Sequence, residues 1–172
     1  LRSVSQPRFG PDGEMIGFIG VATDITLAKE AEIELKRQVE ERTAQLARSE
    51  AQFRAVFEAA LEVLVLLEPD GTVLAVNHRR ENWRHPKPDE AIGTKLWDAP
   101  TLRAYPQHIP LMKRGIAQAA KGEPFNTEVA MERPGVPTAY LDVAIQPVRD
   151  ADGKILYLLF EARDITDLKA AQ

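Results

Sequence analysis

Apolar residues recur along this chain with two different periods. From Thr26 to about Ala60 they fall at three- and four-residue intervals. Leu35, Val39, Leu46, Phe53, Val56 and Ala60 lie along one stripe, interrupted by Arg42 and Ser49. The stretch holds no Gly or Pro and is rich in Ala, Leu, Glu, Lys, Gln and Arg, which lose little rotamer freedom in a helix. A helix of roughly 35 residues is about 50 Å long, longer than a small domain is wide. Its narrow stripe therefore reads as a coiled-coil seam facing a second, parallel helix, with Leu35, Val39, Leu46 and Phe53 as the seam residues. Upstream of Leu35 the phase slips, because Ala28 and Ala31 do not share the register of Val39 and Leu46. Glu32 with Lys36 and Glu50 with Arg54 have the spacing of favourable i,i+4 pairs. Gln52, three residues after Ser49, gives a capping-box form at which the helix could kink or restart.

The second period is two. Phe125, Thr127, Val129 and Met131 alternate with Asn126, Glu128, Ala130 and Glu132; Leu141, Val143 and Ile145 alternate with Tyr140, Asp142, Ala144 and Gln146. Such alternation predicts antiparallel strands covered on one face. Val63–Leu67 and Thr72–Val76 flank the turn Pro69-Asp70-Gly71 as a hairpin, and Lys154–Asp164 follows the turn Asp150–Gly153 as the last strand. Asn77–Arg84 reads as a short polar helix. Pro110 opens a helix carrying Met112, Ile116 and Ala119, and Gly122 ends it. The fold class is α+β: an antiparallel five-stranded sheet with helices on one face, preceded by a long coiled-coil helix. Two further strands, Arg2–Phe9 and Met15–Ile25, flank Pro11-Asp12-Gly13; such a hairpin is marginal alone.

This first hairpin repeats at an offset of 140 residues. Asp12-Gly13 aligns with Asp152-Gly153, Ala22 with Ala162, Asp24-Ile25-Thr26 with Asp164-Ile165-Thr166, and Lys29 with Lys169. The chain reads as a window on tandem modules. Residues 1–26 are the closing hairpin of a preceding module, 27–60 a connecting helix, 61–167 a complete module and 168–172 the start of an output helix.

Composition narrows the chemistry. Of 172 residues, 44% are hydrophobic, enough for a core, and the net charge of −4 comes with no basic block, so no nucleic-acid partner is expected. The absence of Cys excludes disulfides and thiolate metal sites. No signal peptide or membrane-spanning apolar run is present, so no direct membrane contact is expected. His78 and His85 stand alone without metal-ligand spacing. No phosphate loop, nucleophile elbow or paired carboxylates appear, so the chain is not expected to be an enzyme.

The order of elements, with Glu68-Pro69-Asp70-Gly71, Asn77, Asp89–Gly93, Leu96-Trp97-Asp98, Lys121–Phe125 and Pro147–Asp150 through Asp164-Ile165-Thr166, resembles a PAS domain. The helix carrying Glu41-Arg42-Thr43 and Ser49–Arg54 resembles the signalling helices that join PAS modules in bacterial sensor histidine kinases and diguanylate cyclases. Arg133-Pro134-Gly135-Val136 departs from the Asp-Gly turn of many relatives. The resemblance implies a cytoplasmic, homodimeric regulatory module with a histidine kinase or diguanylate cyclase output domain in the same parent chain. It also implies signal coupling through Asp24, Ile25, Thr26, Asp164, Ile165 and Thr166, with the polar members capping the helix that follows. Trp97, Met112, Ile116 and Tyr140 are the candidate lining of a ligand pocket; the plainer reading is that such side chains fill the core. No cofactor is expected: the covalent flavin adduct of light-sensing relatives needs a Cys, and the one candidate haem ligand, His108, reads as a helix-entry residue before Pro110. The competing reading is a structural dimerisation module without ligand.

Overall fold

The computed structural model describes residues 1–77 and 88–171, with the side chains of Pro88, Asp89 and Arg133 left aside. The expected polar helix after Asn77, together with His78 and His85, lies outside the described residues. The chain divides into two compact units, Leu1–Gln52 and Phe53–Gln172.

In the first unit, β1 (Arg2–Phe9) and β2 (Met15–Thr23) form an antiparallel hairpin. Strand β2 stops at Thr23, two residues before the expected end, because the Asp24 carboxylate takes the Thr26 N–H and turns the chain. Helix α1 (Thr26–Ala59) follows and runs without a break through Ser49, so the capping-box form there does not restart it. Strong helix formers on both sides keep the intrahelical ladder intact, which leaves a mid-helix cap nothing to satisfy. Glu32 bonds back to Lys29 at 2.7 Å, and the pairing expected with Lys36 gives way to it.

The second unit is a five-stranded antiparallel sheet in the order β4-β3-β7-β6-β5, built from β3 (Val63–Leu67), β4 (Val73–Val76), β5 (Phe125–Arg133), β6 (Val136–Arg149) and β7 (Ile155–Asp164). Strand β7 starts after Lys154 because the Asp150 carboxylate accepts the N–H groups of both Asp152 and Lys154 and holds them in the turn. Among the described residues the helical segments after α1 are α2 (Pro100–Arg103), α3 (Ile109–Ala119), three short 3-10 turns and α4 (Thr166–Ala170) at the end of β7. Pro110 sits in the first turn of α3, where its missing N–H costs nothing.

Strand parity sets the core. Opposed pairs such as Phe125–Ile145, Ile145–Phe160 and Val65–Phe160 share one face. Helix α3 closes down on it: a Cβ at Gly115 would lie 2.5 Å from the Phe125 ring, so only Gly allows this approach. Two apolar clusters result. One gathers Leu67, Val73, Ile116 and Leu158; the other gathers Tyr105, Met112, Leu141 and Val143.

Candidate functional site: the helix junctions

The C-terminal junction is where the sheet ladder becomes a helix ladder. Ile165 N–H donates to the Tyr140 carbonyl at 2.8 Å, adding one rung beyond the Leu141–Asp164 pair. The Ile165 carbonyl does not close that rung and instead accepts the Lys169 N–H inside α4 at 3.0 Å. The Thr166 hydroxyl takes its place and accepts the Tyr140 N–H at 3.0 Å. The same hydroxyl donates to the Asp164 carboxylate at 2.6 Å, and the Thr166 N–H donates to that carboxylate at 2.9 Å. Asp164 thus satisfies an orphan N–H at the start of α4, while Thr166 joins helix to strand. The expected helix-capping role therefore falls on Asp164 alone, since the Thr166 oxygen faces β6. Ile165 is buried beneath the junction. Lys169 adds a second tie from α4, to Glu128 on β5 at 2.7 Å.

The N-terminal copy has the same local geometry. The Thr26 hydroxyl and N–H donate to the Asp24 carboxylate at 2.6 and 2.9 Å. These two bonds, the hydroxyl's first, hold the Asp24 carboxyl below the usual carboxylate range.

At the other end of the module, the last turns of α1 enter the core. Phe57 is buried and stacks on Phe53, with ring centroids 5.4 Å apart. Asn77, the one buried polar side chain among the described residues, binds three segments together. Its oxygen accepts the Leu64 N–H at 2.8 Å, and its amide donates to the carbonyls of Glu62 at 2.9 Å and Phe57 at 3.3 Å. Asn77 thereby ties the end of α1 to the first strand of the sheet, as Thr166 ties β6 to α4. Nothing in the local sequence announces this role beyond an Asn following a strand.

The candidate pocket residues do not form one group. Met112 and Ile116 are 2% and 3% exposed and belong to different apolar clusters, while Trp97 is half-buried beside the Ile116 cluster. The Trp97 ring covers Gly71, where a Cβ would come within 2.8 Å of it, and Lys113 Nζ lies 5.1 Å from its centroid. Tyr140 is 38% exposed and lies between Ala139 and Leu141 on the opposite face of β6 from Leu141 and Val143. Its side chain is therefore separated from the other three, and only its backbone belongs to the junction. His108 Nε2 donates to the Ala130 carbonyl at 2.9 Å, joining the start of α3 to β5. On α1, Leu35, Val39, Leu46 and Phe53 are all exposed, Leu46 by 70%. Among the described residues no three His, Asp or Glu side chains are placed to hold a metal ion, and no helix is long and apolar enough to cross a membrane.

Residues 57–170 match a protein-family model described as the PAS fold. The sensor histidine kinase TmoS of Ectopseudomonas mendocina is 30% identical over 135 residues; the match covers 77% of this chain and 14% of that kinase. Among solved structures, the PAS domain of BvgS from Bordetella pertussis is similar with a TM-score of 0.56 at 17% identity, covering 73% of this chain and 99% of that one. The VqmA dimer of Vibrio cholerae gives a TM-score of 0.56 at 14% identity, covering 69% of this chain and 52% of that one.

Proposed function

This chain belongs to the PAS-fold family, and we propose from that premise that it is a non-catalytic, cytoplasmic regulatory module of a sensor-kinase-type signalling protein. In this reading it works as a homodimer whose α1 helices pair, and it relays a change between α1 and α4. The output domain is a histidine kinase in the same parent chain; the relation to TmoS favours that over a diguanylate cyclase. The observation that carries the reading is the handover at Thr166. One hydroxyl holds a strand N–H and a carboxylate at the first turn of the exit helix, so a shift of β6 reaches α4 without an intervening flexible segment. A relay of this kind needs an element with two close arrangements, and the α1 stripe broken by Arg42 and Ser49 supplies a pairing of modest strength.

The test compares three variants in the intact parent. Ile165→Ala should destabilise the module by roughly 2–5 kcal/mol, because it empties a buried site. Thr166→Ala should cost about 1 kcal/mol, because it removes the hydroxyl that accepts the Tyr140 N–H and donates to the Asp164 carboxylate. Asp164→Asn keeps the shape, removes the charge and should leave the melting temperature nearly unchanged while altering kinase output. Wild-type output from a well-folded Asp164→Asn would reduce the junction to a structural cap. The ligand-free dimerisation reading is favoured by the depth at which Met112 and Ile116 are packed. Native mass spectrometry of the purified chain separates the two, since a retained small molecule would count against it.

A further inference from the structure

The β1–β2 hairpin reproduces the β6–β7 hairpin pair by pair. Arg2 opposes Thr23 as Asp142 opposes Arg163, and the correspondence runs through Arg8–Gly17 and Val148–Tyr157. Both ladders then slip at the same place, between Arg8 and Phe9 and between Val148 and Arg149. The turns close alike: Gly10 N–H donates to Glu14 and Asp150 N–H to Lys154, at 2.7 and 2.9 Å. Beyond the strands, Lys29 N–H bonds the Ile25 carbonyl as Lys169 N–H bonds that of Ile165. Most of the aligned side chains differ, so a shared local composition does not account for a shared register and a shared bulge.

The surroundings differ. Strand β7 has β3 on its far edge and β6 has β5, whereas among the described residues β1 and β2 pair only with each other. Phe18 occupies the position of Leu158, yet it is 68% exposed where Leu158 is 0%. A two-stranded ribbon with bare edges and an exposed aromatic is an incomplete sheet.

We propose that β1–β2 is the closing hairpin of a second PAS sheet, and that its two open edges receive the remaining three strands of that sheet. The occupant is a segment of the parent polypeptide N-terminal to Leu1. One strand lies along β2, as β3 lies along β7, and another lies along β1, as β5 lies along β6. The stretch matched in TmoS is 14% of that kinase, so a protein of this kind is far longer than the matched stretch.

The correspondence makes the two faces of β2 unequal. Phe18 takes the place of buried Leu158, while Val21 takes the place of Glu161 on the opposite face. The experiment measures amide hydrogen exchange of β1 and β2 in the 172-residue chain and in the full-length parent, followed by Phe18→Glu and Val21→Glu in the parent. Amides pointing away from the hairpin's own ladder should slow about tenfold or more in the parent. Phe18→Glu should abolish that slowing and leave residues 57–170 unchanged. Val21→Glu should preserve it, because the second copy already carries Glu there. Equal exchange in both proteins, slowing that rises with protein concentration as pairing with a second copy would produce, equal damage from the two variants, or a parent without strands upstream of Leu1 would each overturn the proposal.

Discussion

Asp70 shows how one exposed side chain organises a turn. Its carboxylate takes Lys95 Nζ at 2.6 Å and both the hydroxyl and the N–H of Thr72, at 2.7 and 2.9 Å. The Lys95 bond first, then those of Thr72, lower its carboxyl from 3.8 to about 2. A carboxyl depressed in the folded state stabilises the fold above its unfolded value and loses that contribution as pH falls through the folded one. The β3–β4 turn should therefore loosen between about pH 3.8 and about 2. NMR titration of the Asp70 carboxyl in Lys95→Ala should show it moving back toward 3.8, and an unmoved titration would assign the effect to Thr72 alone. Asn77 sits in the opposite environment, itself buried, with Phe57 buried and Glu62 and Leu64 half-buried. Asn77→Ala leaves the Leu64 N–H and the carbonyls of Glu62 and Phe57 without it. Each buried group left unsatisfied costs about 1–3 kcal/mol, so this variant should lower stability by at least that much in a denaturant melt. Asn77→Asp, isosteric but unable to donate to the two carbonyls, should not restore it.

At the scale of elements, what could be read from the sequence was whatever depends on neighbours in the chain. Turn residues and strand parity placed the hairpins, Pro110 placed the start of α3, and the offset of 140 residues exposed the repeat. What could not be read depends on which strand lies beside which. The Thr166 hydroxyl looks like a helix cap until β6 brings the Tyr140 N–H to it, and Asn77 reaches Phe57 from twenty positions away. Tyr140 alternates with Leu141, and that parity alone sets its side chain on the face of β6 away from Leu141 and Val143. Helix α1 carries the prediction that belongs to this scale. Its apolar stripe is exposed along Leu35, Val39 and Leu46, and a single charge in such a seam loses its hydration when a partner helix covers it. Leu46→Glu should shift the chain from dimer toward monomer in light scattering at about 10 micromolar, in the range of modest associations. Circular dichroism should change little where the helix itself persists. A monomer for the unmodified chain at that concentration would remove α1 as a dimerisation element.

For the molecule as a whole, the division at Gln52 and Phe53 sets which residues are needed for an independent fold. Both apolar clusters and all five strands of the large sheet lie after it. So do the last turns of α1, and these are part of the core, because Phe57 is buried and its carbonyl is held by Asn77. A chain running from Ser49 to Gln172 keeps all of these and should melt in a single cooperative transition without β1 and β2. A chain beginning at Leu61 keeps the sheet but loses Phe57, its stack with Phe53 and one partner of Asn77. Removing a buried Phe side chain costs about 3–5 kcal/mol, and in a domain of this size each kcal/mol moves the melting point by several degrees, so the shorter chain should melt roughly 10 °C lower or more. Calorimetry on the two chains distinguishes this arrangement from its alternatives. Equal melting points would mean that α1 only abuts the module. A non-cooperative transition in the longer chain would mean that the first hairpin belongs to the same core. The ordered pair of transitions instead makes the end of α1 part of the folded module, so that any force on the helix acts on the sheet through Phe57 and Asn77.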